Sequence, residues 1–317
     1  MILERIKNSS KSLFSFELLP PLKGSSIQEI YNTIDPLMEF KPPYINITYH
    51  REEAVYKKRS DGLLEKRIVR KRPGTVAIAA AIKNKYKDVN VVPHLICGGF
   101  SKEETENALI DLNFLGIENL LVLRGDPENG KNVFKPEENG HKNALGLVQQ
   151  IMDLNKGKYL DDELQNTTAT NFTIGVAGYP EKHMEAANQK MDLEILKAKV
   201  DAGAKFVVTQ MFFDNNKYFD FVESCRACDI DVPIIPGLKP IATLGHLSGL
   251  PKTFNIDLPE ALVKEVLKCK TNQEVRQVGV EWAIFQSKEL KQQNVPAIHY
   301  YTMGKPDNVY QIAKAVF

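Results

Sequence analysis

Short apolar runs recur along the chain, each followed by an amphipathic stretch, and this alternation predicts successive β–α units. The runs cover residues 13–18, 44–48, 91–96, 119–123, 173–177, 206–209, 233–236 and 298–301. Their cores (YINIT, LLVL, FVVT, PIIP) are short and apolar, as parallel strands buried on both faces require. Between them, SIQEIYNTIDPLMEF, SKEETENALIDLNFLG and NQKMDLEILKAKVDAGA read as helices. The last two end at or beside a glycine, which permits a left-handed C-cap. Ser101, with Glu104 three residues on, reads as a capping box.

Eight such units without a break in composition predict an α/β protein: a single-domain (β/α)8 TIM barrel over residues 1–317. An open, doubly wound sheet is the alternative, but it would place a glycine-rich turn after the first strand. Here that turn is Glu17-Leu18-Leu19-Pro20-Pro21, which has no glycine. Two connections interrupt the rhythm. Residues 50–73 are strongly basic (KKR at 57–59, KRIVRKR at 66–72) and read as a solvated loop or helix face, with a hold on a phosphate-bearing ligand or nucleic acid as the other reading. Residues 156–171 are polar.

Composition narrows the function classes. Forty-one basic residues balance forty acidic ones, so no global field recruits nucleic acid or an acidic membrane. The N-terminus lacks the apolar core of a signal peptide, and no apolar run reaches the roughly 18 residues that span a bilayer. Four cysteines are too few for a disulfide framework and suit a reducing compartment. A cytoplasmic protein acting on small molecules is therefore expected; a homo-oligomer is expected as well, on grounds that composition does not supply. Cys225 and Cys228 form a CxxC inside a helical stretch with no second ligand pair, and the histidines form no HxH or HExxH set, so no catalytic metal is expected.

Barrel enzymes gather their chemistry at the C-terminal ends of the strands. Those ends deliver Glu17, Thr48, His94, Arg124 with Asp126, Tyr179 with His183, Gln210 and Tyr301. Glu17 follows Phe14 and Phe16 and precedes two prolines, so it would be fixed in a partly apolar mouth. Desolvation there suits a general acid, although a salt-bridged loop glutamate fits the same residues. In Leu123-Arg124-Gly125-Asp126, the glycine lets backbone approach a ligand and the arginine can pair with a phosphate. An internal Arg/Asp turn is the alternative. Asp192 and Lys199 lie seven residues apart on one helix face. Gln210 offers a paired donor and acceptor to a heteroaromatic edge. His94 is either a satisfied core residue or a functional one at the mouth.

In this order, FSFELLPP, PHLICGG, LLVLRGDP, VAGYPEKH, the D-x6-K helix leading to VDAGA, VTQMFFD, IIPGLKPI and HYYTM resemble the methylenetetrahydrofolate reductases. The resemblance runs from about Phe14 to the C-terminus. It implies a barrel that binds FAD at its C-terminal face and works by a ping-pong reaction. NADH or NADPH reduces the flavin and leaves; methylenetetrahydrofolate then opens to an iminium cation and accepts hydride. By the same resemblance Glu17 and Asp126 are catalytic, Glu17 protonating the leaving N10 and Asp126 lying beside the flavin. Thr48, Tyr49, His94, Leu123, Arg124, Gly125, Asp126, Ala144, Tyr179, His183, Asp192 and Lys199 are implied as cofactor contacts. Gln210, Tyr301 and Lys305 are implied as substrate contacts, with Tyr301 closing the site.

Three positions depart from a bacterial branch of that family. Leu244 stands where a stacking Phe occurs, Lys305 where an Arg occurs, and Ala198 where an Arg precedes Lys199. Lys305 keeps the charge but loses bidentate geometry. The basic 50–73 segment could supply charge instead. With nothing after Phe317, a short, catalytic-only form is expected. Other classes make different demands. A proline dehydrogenase-like flavin barrel wants an arginine pair near the last strands, where only Lys305 and Lys314 occur. An aldolase barrel wants a lysine where Gln210 stands, and a non-catalytic binding barrel has no need of Glu17 or Asp126.

Overall fold

A computed structural model describes residues 2–127 and 133–317. Along the chain come α1 (Ile2–Lys7), β1 (Leu13–Leu18), α2 (Gln28–Ile34), a 3-10 segment (Asp35–Phe40), β2 (Tyr44–Ile47), β3 (Glu53–Lys58), β4 (Leu64–Val69) and α3 (Thr75–Lys85). Next are β5 (Asn90–Ile96), α4 (Lys102–Phe114), β6 (Asn119–Leu123), α5 (Ala144–Leu154), β7 (Thr173–Gly178), α6 (Gln189–Asp201), β8 (Phe206–Met211) and α7 (Asn215–Ala227). The chain ends with β9 (Ile234–Leu238), α8 (His246–Phe254), α9 (Glu260–Lys268), α10 (Asn272–Gln292), β10 (Ala297–Tyr301) and α11 (Asp307–Val316).

Eight parallel strands close in the order β1-β10-β9-β8-β7-β6-β5-β2, the expected (β/α)8 barrel. The seam joins the two ends of the chain, from Leu13 opposite Ala297 to Glu17 opposite Tyr301. Because successive strand residues face opposite ways, each strand divides its side chains between two cores. One phase (Phe14, Phe16, Ile45, Ile47, Val122, Val176) packs outward against the helices in the main apolar cluster. The other fills the barrel with Tyr44, Val92, Leu121, Phe206, Val208, Ile235 and Ala297. Helix α1 stops the N-terminal end of that inner core with Ile2 and Ile6, both buried. The helix starts follow local chemistry. Ser101 and Glu104 form the expected reciprocal capping box on α4, and Asn143, Asn188 and Asp214 cap α5, α6 and α7.

The basic 50–73 segment is neither a loop nor a helix face. It folds as an antiparallel hairpin in which Glu53 to Lys58 pair with Val69 to Leu64. Asp61-Gly62 makes the turn: Gly62 sits at φ 84°, and Leu63 N–H donates to Asp61 Oδ1. The charge run hid a two-residue alternation, EAVYKK against LEKRIV, that a turn with positive φ brings together. The polar 156–171 connection is a coil, tied down where Asn155 receives Thr170 Oγ1 (2.7 Å) and Phe172 N–H (2.8 Å).

Helices α8 and α9 are inserted between β9 and the barrel helix α10, and they sit on a third cluster around Met211, Phe213, Ile241 and Leu262. Helix α10 reaches that cluster because Gly279 has no side chain. A Cβ there would fall 1.9 Å from the Ile241 carbonyl oxygen. Gly279→Ala should therefore destabilise the fold by roughly 1–3 kcal/mol, read as a lower urea midpoint at unchanged slope. Gly249→Ala, where nothing lies within 4 Å, is the matched control and should not destabilise.

Candidate active site at the C-terminal mouth

Glu17, the last inward residue of β1, sits at the seam between Thr48 beyond β2 and Tyr301 of β10. Its side chain is 14% exposed, and His94 Nε2 stands 3.3 Å from Oε2. Burial raises the carboxyl to about 7, opposed by the Thr48 hydroxyl and the charge of Lys239. Burial also lowers His94 to about 3, so this contact joins two neutral groups near pH 6 and is not an ion pair. The aromatics that flank Glu17 in sequence are not its walls. Phe14 and Phe16 point outward into the helix-facing core, and the inward neighbours desolvate the acid.

Thr48 Oγ1 lies 3.1 Å from Glu17 Oε1 and 3.1 Å from the Leu18 carbonyl oxygen. It has one proton to give. It can donate to the carboxylate when Glu17 is ionised, and to the carbonyl when Glu17 is itself the donor. One hydroxyl thus serves both protonation states.

The expected cofactor residues fall on one continuous arc, the ends of β2, β5, β6 and β7. Tyr49 packs its ring on Phe100 at 5.1 Å, next to Thr48. Gly125, after Leu123 and Arg124, sits at φ 85°, and a Cβ there would lie 3.1 Å from Ile96 Cδ1. Only glycine brings the backbone this close. Arg124 pairs with Glu185 through both terminal nitrogens (Nη2 to Oε1, 2.8 Å) and stands 5.0 Å over the Phe134 ring. The internal partner is thus Glu185, not Asp126, and Arg124 Nε is buried without a hydrogen bond. Asp126 is exposed and makes no hydrogen bond or ion pair among the described residues. Ala144 opens α5 directly after its cap.

Further round the arc, Tyr179 and His183 meet edge-on at 4.7 Å. Asp192 Oδ2 accepts the His183 N–H at 2.9 Å, and Lys199 donates to the Ala177 carbonyl at 3.0 Å. Asp192 and Lys199 are both buried on the inner face of α6, as their spacing predicts. Burial pulls Lys199 down to about 8, with Asp192 opposing.

The opposite arc, β8 to β10, opens into a cavity of about 660 Å³ lined by Met211, Lys239, His246, Arg276, Tyr301 and Lys305 among others. Gln210 turns its carbonyl back onto the Met211 N–H (2.9 Å). Tyr301 is not a free lid. Its hydroxyl donates to the Thr209 carbonyl at 2.6 Å, and its ring lies where a Cβ on Gly237 would be. Leu244 is half exposed near the rim. Among the described residues no group of three or more His, Cys, Asp or Glu gathers as a metal site.

Lys239 was missed by the sequence reading, although it follows an apolar strand as directly as Gln210 does. Burial lowers it to about 8, Glu17 opposes, and no hydrogen bond or ion pair engages it among the described residues. Glu181 is a second omission. Burial raises it to about 7, and it accepts the Asp257 N–H, linking the β7 loop to the α8–α9 connection.

A closed parallel barrel with a neutral acid at its mouth and a ligand-sized cavity beside it is the architecture of a barrel enzyme. The chain belongs to the methylenetetrahydrofolate reductase family, whose model matches residues 2–316. It is 30% identical over 316 residues to methylenetetrahydrofolate reductase (NADH) 1 of Arabidopsis thaliana, covering 96% of this chain and 48% of that protein. It is 32% identical to methylenetetrahydrofolate reductase 2 of Saccharomyces cerevisiae, covering 94% and 46%. The 5,10-methylenetetrahydrofolate reductase of Escherichia coli is 29% identical, with 94% and 88% covered. The chain thus spans about half the length of the plant and yeast relatives and most of the bacterial one. In fold it resembles an uncharacterized Clostridium thermocellum protein that binds two copies of 5-methyl-5,6,7,8-tetrahydrofolic acid (TM-score 0.59, 15% identity, covering 100% and 98%).

The raised Glu17 has a signature in stability. The folded state keeps its proton up to about pH 7, whereas the unfolded chain releases it near 4.5. Folding stability from this group is fully present below the unfolded value and lost as pH rises through the folded one. Glu17→Gln should therefore match wild type near pH 4 and be the more stable protein at pH 8, with the gap opening between about 4.5 and 7. Thermal melts across that range check it, and an unchanged gap would mean that Glu17 is not buried as a neutral acid.

Proposed function

We propose that this chain reduces 5,10-methylenetetrahydrofolate to 5-methyltetrahydrofolate, with FAD as its cofactor and NADH or NADPH as reductant. The observation that carries this reading is the buried Glu17 carboxyl, within reach of Thr48 and His94 between the arc from β2 to β7 and an open cavity. Relatives named for NADH and for NADPH both occur, so family membership supports either reductant.

The residues of the arc fit a flavin. Gly125 sits at positive φ with Ile96 close against it, Asp126 has no hydrogen bond or ion pair among the described residues, and Arg124 keeps an unpaired buried Nε. Thr48, Tyr49, His94, Arg124, Ala144, Tyr179, His183, Asp192 and Lys199 would hold it there. Bound in that arc, the flavin would carry hydride from the nicotinamide to the folate.

The protein's own contribution is acid chemistry and orientation. With a proton affinity matched to neutral pH, Glu17 can protonate the amine that leaves as the folate's five-membered ring opens. Thr48 then turns its single proton from Leu18 to the new carboxylate, and the Lys239 charge stabilises that anion. Asp126, exposed and unpaired at the rim, favours the cation that ring opening leaves on the folate. Gln210 offers an amide to the pterin edge, and Lys305 lies on the cavity wall for the substrate's carboxylates.

Anaerobic addition of NADH should bleach the yellow protein, and methylenetetrahydrofolate should restore its colour. Glu17→Gln should bleach at the wild-type rate but recover colour about 10²–10⁴-fold more slowly. A yellow protein that folate fails to reoxidise would favour another flavin barrel, and a colourless protein that binds no FAD would sink the reading. Lys239→Met removes the charge that favours ionised Glu17. It should move the pH midpoint of the recovery step upward while leaving bleaching unchanged, as stopped-flow spectra from pH 6 to 9 would record.

A further inference from the structure

The barrel axis directly beneath Glu17 is polar. Ser15 and Glu17 of β1, Tyr44 and Asn46 of β2, His94 of β5 and His299 of β10 all lie on the inward phase of four consecutive strands. In register, Glu17 stands opposite Asn46, and Ser15 opposite His299. Ser15, Tyr44, Asn46 and His299 have no solvent exposure, and His94 has 4%. Yet Tyr44 Oη, both amide atoms of Asn46 and His299 Nε2 lack hydrogen-bond partners, and His94 Nε2 has only its 3.3 Å contact with Glu17.

His299 Nδ1 lies 3.0 Å from Ser15 Oγ, which itself donates to the Ile298 carbonyl at 3.4 Å. His299 thus spends Nδ1 on Ser15 and keeps Nε2 without a partner, a donor or an acceptor according to its tautomer. Burial keeps both histidines neutral, at about 3. Orphan polar atoms scattered through a core are each a defect. Four of them gathered on the inward phase of adjacent strands, with donors and acceptors both represented, describe the walls of a water site. Below it the apolar plug of Ile2, Ile6, Leu13, Phe206 and Ala297 shuts off the far end of the barrel.

We propose that the barrel holds ordered water bonded by Asn46, His94 and His299 beneath Glu17, and that through this water His299 is a positioning residue for the acid. The inference deepens the functional reading above and rests on it for its catalytic meaning, but the water site stands independently. Because the plug closes the column below, the water delivers no proton from bulk solvent. It hydrates the Glu17 carboxylate from beneath, which lets a buried acid release its proton to substrate at neutral pH. The other groups facing Glu17 are Thr48 from the β2 end, Lys239 from β9 and Tyr301 from β10, with His50 acting on it through His94. Of these groups Tyr301 packs edge-on against the His299 ring at 5.4 Å, a contact that the aromatic ring of His299→Phe can keep.

Two measurements test this on the full chain. A high-resolution crystal structure should show water density within hydrogen-bond reach of Asn46, His94 and His299; a dry chamber overturns the water site. The carboxyl infrared band of Glu17, identified by its loss in Glu17→Gln, should titrate near pH 7 in wild type. It should titrate about one unit higher in His299→Phe, and return toward wild type in His299→Gln, which restores a polar group. An unmoved Glu17 titration in folded His299→Phe overturns the positioning role. Neither readout requires turnover, so failure of the folate reaction would strike the functional reading while leaving the water site to the density. Should His299→Phe not fold, Asn46→Leu, which also strips the column, is held to the same one-unit rise.

Discussion

The two-residue period of the barrel strands is the constraint on which the rest of this molecule depends. On β1 it sends Phe14 and Phe16 to the helices and Ser15 and Glu17 to the axis. On the other strands the same phase carries Tyr44, Asn46, His94, Gln210, Gly237, Lys239, His299 and Tyr301 inward or to the mouth. Slipping any one strand by a single residue would exchange its entire set. The aliphatic packing against the helices therefore does more than stabilise the fold. It is what prevents the polar phase from turning outward, and so holds an acid and its neighbours where water cannot easily follow.

Within that frame the mouth divides its tasks by strand. The arc from β2 to β7 is already crosslinked, with Arg124 on Glu185, Asp192 on the His183 backbone and Lys199 on Ala177. Such an arc suits a resident group whose position must not vary. The arc from β8 to β10 carries the α8–α9 insertion and the cavity, which suits ligands that come and go. Glu17 and Thr48 lie at the boundary, within reach of both. The acid is thus placed by the strand order and needs no loop of its own.

Much of this was readable from the chain. The eight strands, the closed barrel and the capping box on α4 followed from apolar periodicity and end signals. Polar residues after apolar runs marked Glu17, Thr48, His94, Arg124, Gln210 and Tyr301. What escaped had physical reasons. Lys239 follows PIIPGL in the same way, but it is followed by a proline and an apolar run that read as continued packing. The hairpin at 53–69 was masked because lysine and arginine on both strands looked like a solvated run, whereas the pairing depends on Asp61-Gly62. Ser15, Asn46 and His299 sit singly among aliphatic and aromatic neighbours. Each looked like an ordinary interruption, and only closure of the sheet brings them to one axis. Whether Tyr301 swings or stays is likewise set by a contact 92 positions away in sequence, on Thr209.

The seam between β1 and β10 also bears on how the protein folds. Glu17 lies on the first strand of the barrel in chain order, and its strand partner Tyr301 lies on the last. Until that final strand docks, β1 has one open edge and the acid has one wall missing. A chain that lacks β10 would therefore keep the whole arc from β2 to β7 and still lack a shielded acid. Pairing between strands so far apart in sequence also makes closure slow.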